Sequence, residues 1–192
     1  MPNLKILVSE SAGGKDSILS AVLRVNPNIK LIVSTTNRDI RVGEVDGVTY
    51  NFVDLETITR MINEDLFIEK REYETEKGLW IYGIPKSAID IKSNNQYIVI
   101  VDFEGLKELK KYLDSNNITY TSYFIQASAQ ERLRRSINRE GKMTDKQCYE
   151  IARRLLSDRD IVSPAKYYCD VVLNNETQQD FINAVIRIAG DK

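Results

Sequence analysis

The 192-residue sequence contains no histidine. That absence removes the imidazole base, the histidine relay behind a nucleophile and the His-ligated zinc centre. Any chemistry must run on carboxylates, lysine, arginine, tyrosine, backbone amides or a hard cation. Cysteine is nearly as scarce. Cys148 and Cys169 form no metal-binding or redox spacing, so two unremarkable thiols in a reducing, cytoplasmic setting are expected. No apolar run approaches the roughly 18 residues that cross a membrane. The stretch MPNLKILVSES leads straight into a loop, as a strand would and a secretory leader would not. An excess of one charge is missing too: the formal net charge of −1 gives no global pull on nucleic acid. The positive charges are clustered instead, Arg38 with Arg41, and Arg132, Arg134, Arg135 and Arg139 with Lys142. That pattern suits small anions, so small-molecule partners are expected, with no nucleic acid and no membrane.

Hydrophobic residues at 42% and charged residues at 29% are ordinary for one well-buried core, and the length is too short for two ordinary domains. Leu4 to Val8 is solidly apolar, as in a strand buried on both faces. Ser17 to Val25 sets Ile18, Leu19, Val22 and Leu23 on one helical face and stops at Asn26-Pro27-Asn28. Further strands are read at Leu31 to Val33, Tyr97 to Val101, Tyr120 to Ile125 and Asp170 to Leu173. Helices are read at about 55–63, 106–113 and 178–188, with two charged ones spanning about 129–156. Strands alternating with helices predict an α/β fold with a mostly parallel central sheet covered on both faces. The polar, turn-rich segment after Val33 breaks that rhythm and reads as an inserted lobe carrying one helix. Ligands of such sheets bind beyond the carboxyl ends of the strands, so residues 9–17, 34–41 and 102–105 should converge on one crevice.

The loop between the first strand and the first helix is SESAGGKDS, Ser9 to Ser17. It approaches G-x-x-x-x-G-K-[ST], in which backbone amides cradle phosphates, the lysine reaches the outer ones and the hydroxyl holds Mg²⁺. Gly14 and Lys15 are in place. Ser9 stands at the first glycine and Asp16 at the hydroxyl. A carboxylate is itself a hard-cation ligand, so Asp16 can take the metal role, with Ser17 a nearby hydroxyl. Where Ser9 or Ala12 must adopt positive φ, the exchange costs roughly 1 kcal/mol or more, part of which Gly13 can absorb. Glu10 neighbours the anion site and should weaken triphosphate binding unless it points to solvent. The second cluster has Arg38 and Arg41 three residues apart, with Tyr50 after a turn through Gly43 and Gly47. Two guanidinium forks and a phenol suit a terminal phosphate dianion. Two solvated arginines in a polar loop are the competing explanation.

This second stretch resembles the guanylate kinase signature, Ser-x-Thr-[ST]-Arg-x-x-Arg-x-Gly-Glu-x-x-Gly-x-x-Tyr-x-Phe. Ser34, Thr36, Arg38, Arg41, Gly43, Glu44, Gly47, Tyr50 and Phe52 are in register, and Asn37 departs. Phe67-Ile68-Glu69, Tyr82-Gly83, Asp102-Phe103-Glu104-Gly105, the arginines from Arg135 to Arg154 and Asn174-Asn175 extend the resemblance over nearly the whole chain. It implies a three-layer P-loop NTPase fold with an inserted mixed α/β lobe for the nucleoside monophosphate and a helical lid. The implied division is core 1–33, 91–127 and 156–192, GMP-binding lobe 34–90 and lid 128–155. The implied reaction is ATP-dependent phosphorylation of GMP or dGMP to GDP or dGDP, with Mg²⁺ as cofactor, in a cytoplasmic monomer or homodimer.

By the same resemblance, Ser11, Ala12, Gly13, Gly14, Lys15, Asp16, Ser17 and Asn174 would bind ATP. Ser34, Arg38, Arg41, Tyr50, Glu69, Tyr82 and Asp102 would bind GMP. Glu69 would accept from the N1–H and 2-amino donors of guanine, a pair that adenine does not present. Lys15, Arg41, Arg135, Arg139 and Arg154 would act on the transferring group, and Asp16 and Asp102 on the metal. Two departures bear on the base and the metal: Ile84 removes a hydroxyl that helps read the base, and Ile100 removes one of two carboxylates. They motivate a rival enzyme, a deoxynucleoside monophosphate kinase of altered or broader base choice. The changed loop motivates another rival, a catalytically dead binding module of the same fold.

Overall fold

The structure is a computed structural model that describes residues 2–41, 43–75 and 78–190. Its elements run β1 (Asn3–Ser9), α1 (Lys15–Val25), β2 (Ile29–Leu31), β3 (Thr35–Thr36), β4 (Asn51–Phe52), α2 (Leu55–Asn63), β5 (Phe67–Thr75) and β6 (Gly78–Pro85). They continue β7 (Gln96–Ile100), α3 (Phe103–Ser115), β8 (Thr119–Gln126), α4 (Ala129–Glu140), α5 (Asp145–Ile161), β9 (Val171–Asn174) and α6 (Gln178–Gly190).

Five strands form the central sheet in the order β2-β7-β1-β8-β9, and every pairing in it is parallel. β1 lies in the middle because Leu4, Ile6, Leu7 and Val8 have no solvent-facing side to fill. Its alternation divides the core. Leu4, Ile6 and Val8 pack with Val99, Phe124 and the Leu106, Leu109 and Leu113 stripe of α3. Leu7 packs on the other face with Ile18 and Val22 of α1 and Val185 and Ile188 of α6. The result is three layers. A second sheet, β4-β3-β6-β5, is mixed, with β3 and β4 parallel and the other pairs antiparallel.

Local chemistry sets several helix starts. Asp54, Asp102 and Ser128 cap α2, α3 and α4 through side-chain oxygens, and Thr144 with Gln147 forms a reciprocal capping box on α5. Three expectations shift. The second strand is Ile29–Leu31 and not 31–33, because Ile29, Lys30 and Leu31 take the register opposite Gln96, Tyr97 and Ile98. α3 and α5 run longer than expected, α5 reaching Ile161. The β5–β6 hairpin was not foreseen, since FIEKREYET runs through four consecutive charges, Glu69 to Glu72, and shows little apolar alternation. Among the described residues, no helix is long and apolar enough to cross a membrane. Cys148 and Cys169 are free thiols.

Candidate active site

Between β1 and α1 the backbone turns through two left-handed residues, Ala12 at φ 59° and Gly14 at φ 99°. Ala12 thus carries a β-carbon where glycine is preferred. Ser9 does not, for it remains in the strand and its Oγ donates to Glu10 O at 2.8 Å. Gly13 is needed for space: a Cβ there would lie 2.9 Å from Ser9 Oγ and 3.0 Å from Glu10 O. Lys15 Nζ sits 2.9 Å from Asp16 Oδ2. Residues 11–17 form one wall of a cavity of about 790 Å³, and Arg135, Arg139, Thr144 and Arg154 stand on the other wall.

Glu10 faces neither solvent nor this cavity. It is buried, accepts from Ser163 Oγ at 2.7 Å and pairs with Arg132 Nη1 at 2.7 Å. Arg132 Nη2 reaches Asp158 Oδ2 at 2.6 Å, and its Nε donates to Ser11 O at 2.9 Å. Asp158 Oδ2 in turn accepts the Ser11 N–H at 2.8 Å. The guanidinium neutralises Glu10 inside the protein, so the repulsion of phosphate expected from Glu10 is offset at its source. The same contacts fasten the loop to α4 and α5.

Arg135 is fixed over the loop, with Nε 2.8 Å from Glu131 Oε1 and Nη1 donating to Gly13 O at 3.2 Å. Asn175, buried, donates from Nδ2 to the same Gly13 oxygen at 2.8 Å. Asn174 is exposed at the end of β9 and is not among the residues lining the cavity. The residue that touches the loop is therefore the next one along. Arg139 and Arg154 reach the cavity from more exposed positions, Arg154 paired with Glu150 at 2.7 Å.

A second cavity, about 570 Å³, is lined by Ser34, Tyr50, Glu69, Tyr82 and Asp102. Ser9, Lys15 and Arg154 line both, so the two chambers meet at the loop lysine. The ends of β1 and β7 and Ser34 do converge, as the sheet topology predicts. Arg38 and Arg41 are not among the lining residues. Arg38 is buried and held by both Glu44 oxygens, at 2.8 and 3.0 Å. Its Nε donates to Tyr82 Oη at 3.1 Å, and its guanidinium lies 5.4 Å from the Tyr50 ring centre. The Glu44 hydrogen bonds, with Tyr82 adding and burial opposing, raise its pKa further. One guanidinium thus contacts both phenols. Arg41 is exposed, 6.0 Å from the Trp80 ring centre.

Glu69 is only 7% exposed, and burial, helped by Asp102 and Glu108 and opposed by Arg71, pushes its carboxyl up to about 7. Arg71 Nη2 is 2.8 Å from Glu69 Oε2, yet that oxygen has no partner in hydrogen-bond geometry among the described residues. Asp102 is already engaged. Oδ1 accepts from Gly105 N at 2.7 Å and Arg71 Nε at 2.9 Å, and Oδ2 from Tyr73 Oη at 3.2 Å. Burial and this carboxylate raise the Tyr73 phenol to about 12. Ile100 lines the cavity, while Ile84 is fully buried in the core. Sequence reading missed Arg71 and Tyr73. Their signal was the two-residue period 69, 71, 73, which speaks only once the segment is known to be a strand.

Among the described residues, no three carboxylate or thiol side chains gather as a metal cage. Asp16, beside Lys15 on the larger cavity, fits a hard cation that takes most of its ligands from phosphate and water. Asp102, with both oxygens occupied, fits that role less well.

The family model described as guanylate kinase matches residues 1–190. A guanylate kinase from Prochlorococcus marinus is 29% identical over 193 aligned residues, covering 98% of both chains. One from Photobacterium profundum is 29% identical over 180, covering 90% of this chain and 80% of its own. Among solved structures, guanylate kinase from Anaplasma phagocytophilum superposes with a TM-score of 0.63 over 98% of this chain and 82% of its own, at 24% identity, which bears on the fold alone. With a P-loop NTPase fold and a family match over nearly its full length, the chain belongs to the guanylate kinase family.

Proposed function

We propose that this protein transfers the γ-phosphoryl group of ATP to GMP or dGMP. The observation that carries the reading is the meeting of the two cavities at Lys15, one walled by the phosphate loop and the other by three phenols and a buried carboxylate. Such a junction sets a donor and an acceptor phosphate end to end, and phosphoryl transfer to an oxygen that is already anionic needs alignment and charge more than a base. The absence of histidine is then no handicap.

In this reading Lys15 and the loop amides hold the outer phosphates of ATP. Tyr50, Tyr82 and Ser34 hold the GMP phosphate, with Arg38 backing the phenols, and Glu69 accepts from the base. Arg135 stiffens the loop, while Arg139, Arg154 and Arg41 are the exposed cations able to approach the transferring group. Mg²⁺ bound with ATP would supply charge neutralisation, and Asp16 is the side chain best sited to hold it. Two unpaired thiols agree with a cytoplasmic setting.

A coupled ADP-release assay tests this with Mg·ATP against GMP, dGMP, dAMP, dTMP and dCMP. Turnover of GMP and dGMP that disappears in Lys15→Ala is expected. Equal turnover of several bases would replace it with the broader kinase, and no turnover with any, in folded protein, with the binding module.

A further inference from the structure

We propose that Arg71 is a base-specificity residue, donating to the C6 oxygen of guanine beside Glu69; this rests on GMP being the acceptor. Glu69, Arg71 and Tyr73 follow one another at alternate positions of β5, and all three line the smaller cavity. The guanidinium is fixed from several directions. Nε donates to Asp102 Oδ1 at 2.9 Å, and Nη1 donates to Lys70 O at 2.7 Å and to Glu108 Oε2 at 3.4 Å. Its remaining nitrogen, Nη2, lies 2.8 Å from Glu69 Oε2 and packs on Gly105, where any β-carbon would collide with it. Held in this way, Nη2 and the Glu69 carboxylate with which it pairs set a donor beside an acceptor at the cavity wall.

The base that complements such a pair carries a donor beside an acceptor in the reverse sense. The guanine edge reads 2-amino donor, N1–H donor, C6 oxygen acceptor in a row. Glu69 then takes the two donors and Arg71 the oxygen. Adenine would set its 6-amino group against the guanidinium and the N1 lone pair against the carboxylate, so both contacts become repulsive. On the facing strand, the position next to Glu69 offers no donor for the C6 oxygen. The residue paired with Glu69 across the hairpin is Ile84, apolar and buried. The hydroxyl that the family signature carries at that place is replaced by a guanidinium from the neighbouring strand.

The test compares kcat/KM for GMP and for its analogue with sulfur at C6, a weaker acceptor that keeps the N1–H and 2-amino donors. Wild type, Arg71→Met and Arg71→Lys are assayed, with AMP as the mismatched base. Wild type should prefer GMP to the thio analogue. Arg71→Met should lower kcat/KM for GMP about 10- to 100-fold, mostly through KM, as the loss of a charged hydrogen bond does. The thio analogue should lose far less, so the ratio between the two collapses, the preference for GMP over AMP shrinks, and Arg71→Lys restores part of both. An equal loss on GMP and the thio analogue overturns the proposal, because a guanidinium that merely orients Glu69 would affect both alike. Unchanged GMP kinetics overturns it as well. Unaltered KM for ATP and a single cooperative melting transition above the assay temperature mark the variants as folded. Wild type that neither binds nor turns over GMP is a different failure, that of the function itself, and is read before any variant is made.

Discussion

Ala12 holds a backbone angle that glycine adopts freely, at the turn of a loop whose other left-handed residue is already glycine. Relief of that strain exceeds the extra chain entropy that glycine brings to the unfolded state. Ala12→Gly should therefore stabilise the protein by about 0.5–1 kcal/mol, seen as a melting temperature a few degrees higher. Glu69 leads to a pH dependence. Burial pushes its carboxyl up to about 7, and only the ionised form accepts from both the N1–H and the 2-amino donors of guanine. KM for GMP should fall as pH rises towards 7, by about tenfold per unit on the acid limb, and the step near 7 should be missing in Glu69→Gln, which keeps only the ionisation of the substrate phosphate at about 6. The sign for stability is opposite. A carboxyl raised above its unfolded value favours the unliganded fold most below the ordinary carboxylate range and loses that contribution as pH rises through about 7. Arg71, Asp102, Glu108 and Tyr73 are the charged and titratable groups around it, and Arg71 alone opposes the rise by its positive charge.

At the scale of elements, the phosphate loop is fastened to α4 and α5 by a buried arginine between two carboxylates. A central guanidinium removed from such a triad leaves two buried charges without a partner. Arg132→Met should cost about 3–5 kcal/mol in urea unfolding and raise KM for ATP, because Ser11 loses its tie to Arg132 and, indirectly, to Asp158. In the sequence Arg132 is one of a cluster of helix arginines, and nothing in their spacing marks it as structural. Its burial follows from Glu10 and Asp158, 122 and 26 positions away in the chain. Elements with strong local signals were legible: the apolar run of β1, the helix Leu55–Asn63, the glycine loop. The β5–β6 hairpin was not, since the run of charges from Glu69 to Glu72 hides which of them face the cavity it borders.

For the whole molecule, the alternation of strands and helices was enough to foresee the parallel sheet and the crevice at its carboxyl ends, because both follow from connection rules that ignore side-chain detail. The partition of the crevice was not foreseeable in the same way. Asn174 and Asn175 are alike in type, and only the direction each takes at the end of β9 decides which one touches Gly13. For Arg38 the sequence likewise does not tell that Glu44 pairs with its fork. The central position of β1 has a further consequence for the timing of motion. Its backbone is hydrogen-bonded to β7 on one side and β8 on the other, with Leu4, Ile6, Leu7 and Val8 closed to solvent. The amide protons of Leu4 to Val8 should be among the last to exchange with deuterated solvent, through opening of the molecule as a whole, whereas those of the mostly exposed α5 should exchange by local fraying. On that expectation the phosphate loop joins a strand that opens only with the whole molecule to a helix that opens locally, so its two supports differ in local stability.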